Sequence, residues 1–163
     1  MPALDYVRRT ANLGLRIAAA AAFIAPLATR VVIGWAFYLT GSGKWAHFDN
    51  TVTFFTELGI PFPEANAAFV ASLELVGGLA LIAGLFTRLF AVSLASTMGV
   101  ALMTADKERF LESWRAAGDV SPTDIPAFVY LLFLAWLVLL GPGAASVDAL
   151  LRRWLNIGAK PAQ

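Results

Sequence analysis

The sequence predicts an all-α integral membrane protein, a four-helix bundle with short interfacial helices. Three observations predict it. The chain of 163 residues is 59% hydrophobic and only 14% charged, where soluble domains run at roughly a quarter charged. Its mean hydropathy is +0.71, and a chain this short keeps most residues near its surface, so that much apolar area cannot be hidden from water. Four apolar segments approach the length of about 20 residues that a bilayer-crossing helix needs, and glycine, proline or charged residues separate them. The length allows one domain, and the twelve Phe and five Trp exclude low-complexity disorder.

The first region, residues 1–23, carries Arg8, Arg9 and Arg16 among Leu, Tyr and Val, as an interfacial lead-in helix would. Its alanine-rich stretch is not followed by a small-residue cleavage pattern, so the N-terminus is expected to stay in the mature protein. The membrane domain follows over residues 24–145. Its spans are predicted at about 24–43, 66–86, 89–105 and 125–140. Pro126 suits a first helical turn, and Gly141-Pro142-Gly143 stops the last span. Residues 146–163 form an amphipathic tail, with Val147, Leu150, Leu151 and Trp154 on one face and Asp148, Arg152 and Arg153 flanking.

The two outer connections, residues 44–65 and 106–124, are long for a compact bundle. The first mixes Trp45, Phe48, Phe54, Phe55 and Phe62 with His47 and Asn50, and it is expected to fold back as a cap over the Lys44 end. In the second, Phe110, Leu111 and Trp114 stand among charges, as in a short interfacial helix.

Composition narrows the chemistry. A net charge of +1 provides no basic field for nucleic acid, and the absence of cysteine removes thiol redox chemistry and thiolate metal sites. A single histidine cannot form a bis-histidine haem site. No metal or haem is expected to be held by this chain alone.

Glu74 is the most informative residue. It falls eight residues inside the second predicted span, roughly 12 Å below the helix start. A carboxylate at that depth should be paired, protonated or turned toward the bundle. Gly77 and Gly78 share its helical face and leave room for a neighbouring helix or a flat ligand. Lys44, after Gly41-Ser42-Gly43, is the leading candidate partner, and the hydroxyls Ser93, Ser96, Thr97 and Thr104 come next. His47 could titrate near neutral pH, and Trp45 stands beside it. Each has a structural alternative: Glu74 as a polar lock, Lys44 snorkelling to headgroups, His47 as plain surface, the hydroxyls as helix glue. Trp35, Tyr38, Tyr130 and Trp136 suit either belt packing or stacking on a quinone ring. Arg30 and Arg88 are expected to contact lipid phosphate or cap carbonyls.

Taken in order, several motifs resemble the DoxX family of small four-span bacterial membrane proteins. They are Arg30 with Gly34, Gly41-Ser42-Gly43-Lys44, Thr53-Phe54-Phe55 and Leu58-Gly59-Ile60-Pro61-Phe62-Pro63, then Glu74-Leu75-Val76-Gly77-Gly78. Gly84-Leu85-Phe86-Thr87-Arg88, Gly141-Pro142-Gly143 and Ser146-Val147-Asp148 complete the set. The resemblance covers residues 30–151 and implies a four-helix membrane bundle in a redox context, since relatives include the membrane subunit of an archaeal thiosulfate:quinone oxidoreductase.

The function expected is therefore that of a membrane subunit in a quinone-linked redox complex. Glu74 and Lys44 would act at its polar centre, and Gly77, Gly78, His47 and Trp45 would stand around the quinone. Electrons would come from a redox partner protein. The chain would sit in the lipid bilayer of the bacterial inner membrane, alone or as a homo-oligomer. The alternative is a non-enzymatic scaffold or small-solute carrier.

Orientation follows from the basic residues. Eight of the twelve lie on the side that holds both termini of a four-span chain, and four (Lys44, Lys107, Arg109 and Arg115) lie opposite. The positive-inside rule then puts both termini in the cytoplasm. Reporter fusions after Gln163 and within residues 106–124 should label opposite compartments, and a periplasmic signal at Gln163 would reverse the topology.

Overall fold

A computed structural model describes residues 12, 14–16, 19–115 and 119–155. The expected lead-in helix and the last residues of the tail fall largely outside them. Seven helices follow from Ile24 onward: α1 (Ile24–Ala46), α2 (Phe48–Glu57), α3 (Pro63–Ala83), α4 (Thr87–Met103), α5 (Lys107–Glu112), α6 (Pro126–Leu140) and α7 (Val147–Trp154), with a 3-10 turn at Pro122–Asp124. No strand occurs among the described residues. The helix ending at Ala46 and α3 are long and apolar enough to cross a bilayer, whereas α4 and α6 are shorter apolar helices.

The four apolar helices share one core. Ile33 and Phe37 of α1, Leu81 of α3, Ala91 and Leu94 of α4, and Leu134 and Leu137 of α6 are all buried in it. Their other faces are equally apolar. Val32, Trp35, Phe69, Val76, Leu89, Val92, Leu139 and Leu140 are exposed. A soluble monomer rarely shows so continuous an apolar exterior; a helix apolar on all sides belongs in lipid or in a larger core.

Close approach of α1 and α3 organises the bundle. A Cβ placed on Gly34 would stand 2.6 Å from the Gly78 carbonyl oxygen, and one on Gly78 would stand 2.6 Å from that of Gly34. Gly41 meets Ala71 and Leu75 in the same way. The pairing of 34 with 78 and 41 with 71 makes the helices antiparallel. Small residues let backbones approach where lipid offers no hydrophobic drive for association. This also corrects the predicted end of span one: α1 continues past Gly41 and Gly43 to Ala46. Gly41 is an interface position within the helix. The second span begins earlier than expected, at Pro63, because Pro63 starts the helix as a first-turn residue.

At the far end, a polar knot ties the tail to the bundle. Gly84 (φ 70°) and Phe86 (φ 46°) take left-handed conformations in the turn between α3 and α4. Asp148 accepts from the backbone N–H groups of Phe86 (2.8 Å) and Thr87 (2.9 Å), and its own N–H donates to the Gly84 carbonyl at 2.9 Å. A carboxylate there satisfies donors at the start of α4 and complements its dipole. Arg30 is fully buried and donates to the Ala145 carbonyl, with Asp148 supplying an opposing charge. The carbonyl that Arg30 meets belongs to the loop before α7 rather than to a helix cap. Arg88 likewise reaches the Leu139 carbonyl at the end of α6, at 3.4 Å.

The glycine seam gives a test of opposite signs. Gly34→Ala should destabilise by about 1–3 kcal/mol, the usual cost of overpacking. Gly99→Ala, on α4 where a Cβ meets nothing within 4 Å, should be neutral or stabilising by up to about 1 kcal/mol. Thermal unfolding of both variants in one detergent measures the contrast; equal behaviour would mean that α1 and α3 are not held at glycine distance.

Candidate functional site

Glu74 lies eleven residues into α3, roughly 16 Å from its start by helical rise. It is deeper than the predicted boundary implied. Lys44 lies near the other helix's end, two residues before Ala46. The two nevertheless form an ion pair, Lys44 Nζ donating to Glu74 Oε2. Helical side chains lean toward their own N-terminus. In antiparallel helices Lys44 therefore leans inward and Glu74 leans outward, so the depth difference is closed from both sides. The Glu74 side chain is 3% exposed and that of Lys44 is 27%. One member is locked in the bundle and the other is reachable.

What reaches them is a cleft of about 290 Å³ between α2, α3 and α4, with Lys44 and Glu74 as its charged groups. Phe54 and Phe55 of α2, Phe69 and Val70 of α3, and Ala101 of α4 form apolar walls. Phe54, Phe69 and Val100 are exposed, so the apolar lining continues onto the outer face. Polar atoms on the lining come from Asn66, Ser96, Thr97 and Thr104. The three hydroxyls donate within their own helix, to the carbonyls of Ser93 (2.6 Å), Leu94 (2.8 Å) and Val100 (2.7 Å). Their oxygens keep acceptor capacity. A ligand here would find a cationic donor at Lys44 and hydroxyl acceptors along α4.

The other expected site residues stand elsewhere. Gly77 abuts Leu94 and Phe90 of α4, and Gly78 abuts Gly34 and Tyr38 of α1. The space beside them is filled by helices, which removes the room expected for a flat ligand. His47 joins α1 to α2, its N–H donating to the Gly43 carbonyl at 3.0 Å. Trp45 stacks on Phe48 with centroids 5.2 Å apart. Neither lines the cleft. Trp35 stacks on Tyr38 (5.3 Å) and Tyr130 packs on Phe37 (5.5 Å), also away from it.

The outer segment caps the cleft in part. Phe54 and Phe55 turn in on α2, while Phe62 is 81% exposed. The second outer segment holds an aromatic cluster in which Phe110 and Trp114 pack on Phe128 at 5.5 Å and 6.2 Å. Ser96, Thr97 and Thr104, expected as second-choice partners of Glu74 or as helix glue, bond instead to carbonyls of their own helix and line the cleft. Their three- to four-residue spacing put them on one face, but what stood opposite that face was not encoded in α4.

Fold and site together define a small all-helical membrane protein with an internal ion pair at an apolar cleft. The DoxX family model matches residues 25–107, and the chain belongs to the DoxX family. It is 35% identical over 81 residues to the Bacillus subtilis (strain 168) protein named "Putative oxidoreductase CatD"; the alignment covers 50% of this chain and 59% of that protein, less than two thirds of its length. It is 29% identical over 127 residues to "Inner membrane protein YphA" of Escherichia coli (strain K12), covering 75% of this chain and 86% of the other. No solved structure gives a significant match. The family match ends before α6, whereas the resembling motifs extend to residue 151.

Breaking the pair from one side should be worse than removing it whole. Lys44→Met leaves a buried carboxylate uncompensated and should cost about 3 kcal/mol, whereas Lys44→Met with Glu74→Leu should recover most of that. Denaturation of both variants in detergent decides it: a single variant as stable as the native protein would show that the pair does not hold the bundle.

Proposed function

We propose that this protein is the membrane subunit of a quinone-linked redox complex and that the Lys44–Glu74 cleft takes the quinone head. The observation that carries this reading is an ion pair at an apolar cavity whose walls continue onto a lipid-type surface. The volume of about 290 Å³ falls just under the usual range of ligand pockets, about 300 to 1,000 Å³. That size suits one ring with its apolar tail left outside. The names of CatD and YphA, an oxidoreductase and an inner-membrane protein, agree with the reading. In it all four apolar helices span the bacterial inner membrane, with both termini cytoplasmic.

Quinone reduction takes up two electrons and two protons. Lys44 would donate to a carbonyl oxygen and stabilise the negative charge that develops there. Glu74 would hold and relay a proton toward the same atom. The hydroxyl acceptors on α4 would orient the quinol. The electrons would come from a partner protein, since the composition gives this chain no thiol or bis-histidine haem site.

A second reading, a non-enzymatic scaffold or small-solute carrier, is favoured by one observation: Glu74 is almost fully enclosed and joins α3 to α1, as a polar lock would. Glu74→Gln separates the two. The amide preserves shape and hydrogen bonding but cannot titrate, so the variant should fold while quinone-dependent turnover in membranes falls by about 10²-fold or more. Protein purified in mild detergent should carry quinone, detected by mass spectrometry of its extracted lipids together with copurifying proteins. Native protein without quinone, or full turnover in Glu74→Gln, would favour the scaffold.

A further inference from the structure

A groove of about 400 Å³ lies at the opposite end of the bundle from the Lys44 cleft, between the start of α4, the Gly141-Pro142-Gly143 turn and α7. We propose that it binds the headgroup of an anionic phospholipid, with Arg88 and Arg152 on the phosphate and the acyl chains laid along α4. The inference does not depend on the chemistry at Glu74.

The charges select the ligand. Arg88 and Arg152 line the groove and are both exposed, and neither makes a salt bridge among the described residues. Arg88 has only its 3.4 Å contact to the Leu139 carbonyl, which leaves most of its donors available. Asp148 is the acid on the lining, but both its oxygens accept backbone N–H groups of Phe86 and Thr87. Its oxygens are engaged at the helix start, and the two arginines on the lining outnumber its single negative charge. A phosphate with net negative charge therefore meets two arginines, whereas a choline group finds no free carboxylate there.

The apolar walls select a lipid over a soluble anion. Phe86, Leu89 and Leu151 line the same groove. Leu89 is 64% exposed and Val92, one turn further along α4, is 54% exposed, so an apolar track leaves the groove along the outer face of the bundle. On α7, Leu150 and Trp154 are also exposed beside Arg152 and Arg153. That division of faces is what an interfacial helix shows, and basic pockets at helix ends suit anionic headgroups.

The test is native mass spectrometry of the full chain in mild detergent, titrated with phosphatidylglycerol or phosphatidylcholine. Native protein should bind phosphatidylglycerol at least about tenfold more tightly, and Arg152→Gln should lower that preference about fivefold, one arginine's worth of surface attraction. Arg88→Gln with Arg152→Gln should abolish it. Arg115→Gln, at the other end of the bundle, should leave it unchanged. Equal binding of the two lipids would overturn the proposal. So would a preference that survives Arg152→Gln, or one lost equally in Arg115→Gln, because then general basicity does the selecting. Displacement of phosphatidylglycerol by millimolar inorganic phosphate would identify a soluble-anion site instead. Arg152 is exposed and makes no salt bridge among the described residues, so its single variant decides the matter even if the double variant unfolds.

Discussion

The approach of α1 to α3 at glycine distance is the constraint on which the bundle and its site both depend. Lipid tails are as apolar as the helix faces, so burial by itself gives these helices little reason to associate. Contact between backbones supplies dispersion instead, and it requires Gly34, Gly41 and Gly78 to be without side chains where the helices touch. That register places Lys44 within reach of Glu74. The pair in turn makes the register specific: sliding α3 by one residue would rotate Glu74 about 100° from its partner, leaving a charge where hydration is unavailable.

The two ends of the bundle solve the same problem with different chemistry. At the Lys44 end, the buried charge is met by an amine on a long stem, and a cavity is left beside the pair. At the other end, Asp148 accepts from backbone N–H groups, and the buried Arg30 guanidinium meets the Ala145 carbonyl through Nη2, while its Nε and Nη1 have no hydrogen-bond partner. That fixed end ties α7 to the start of α4. The cleft at the Lys44 end borders an internal ion pair, so a ligand there would meet enclosed charge without disturbing the helix contacts, and this is why the redox reading centres on Lys44 and Glu74.

Lys44 and Glu74 also divide the work by exposure. Most of Glu74's surface is shut in the α1–α3 seam, while Lys44 remains reachable from the cleft. Any ligand contact is therefore made first through the amine, with the carboxylate behind it. Both proposed readings use this order. In a scaffold the amine only neutralises the acid; in a quinone site it is also the group that faces the reacting oxygen.

The membrane class, the four apolar segments and the need for Glu74 to be enclosed and paired were legible in the sequence because hydropathy and the cost of an intramembrane charge are local properties. The Lys44 partner was legible too, since few other basic residues stand near that depth. The roles of Gly77 and Gly78 were not: a pair of glycines signals space without saying what fills it, and here helices α4 and α1 do. Nor was the cleft, whose walls come from Phe55, Val70 and Thr97, residues far apart in sequence on three helices. Composition and periodicity fix which residues can face inward on each helix. Which faces then meet is settled by packing between helices, a property of pairs of surfaces that no single segment contains.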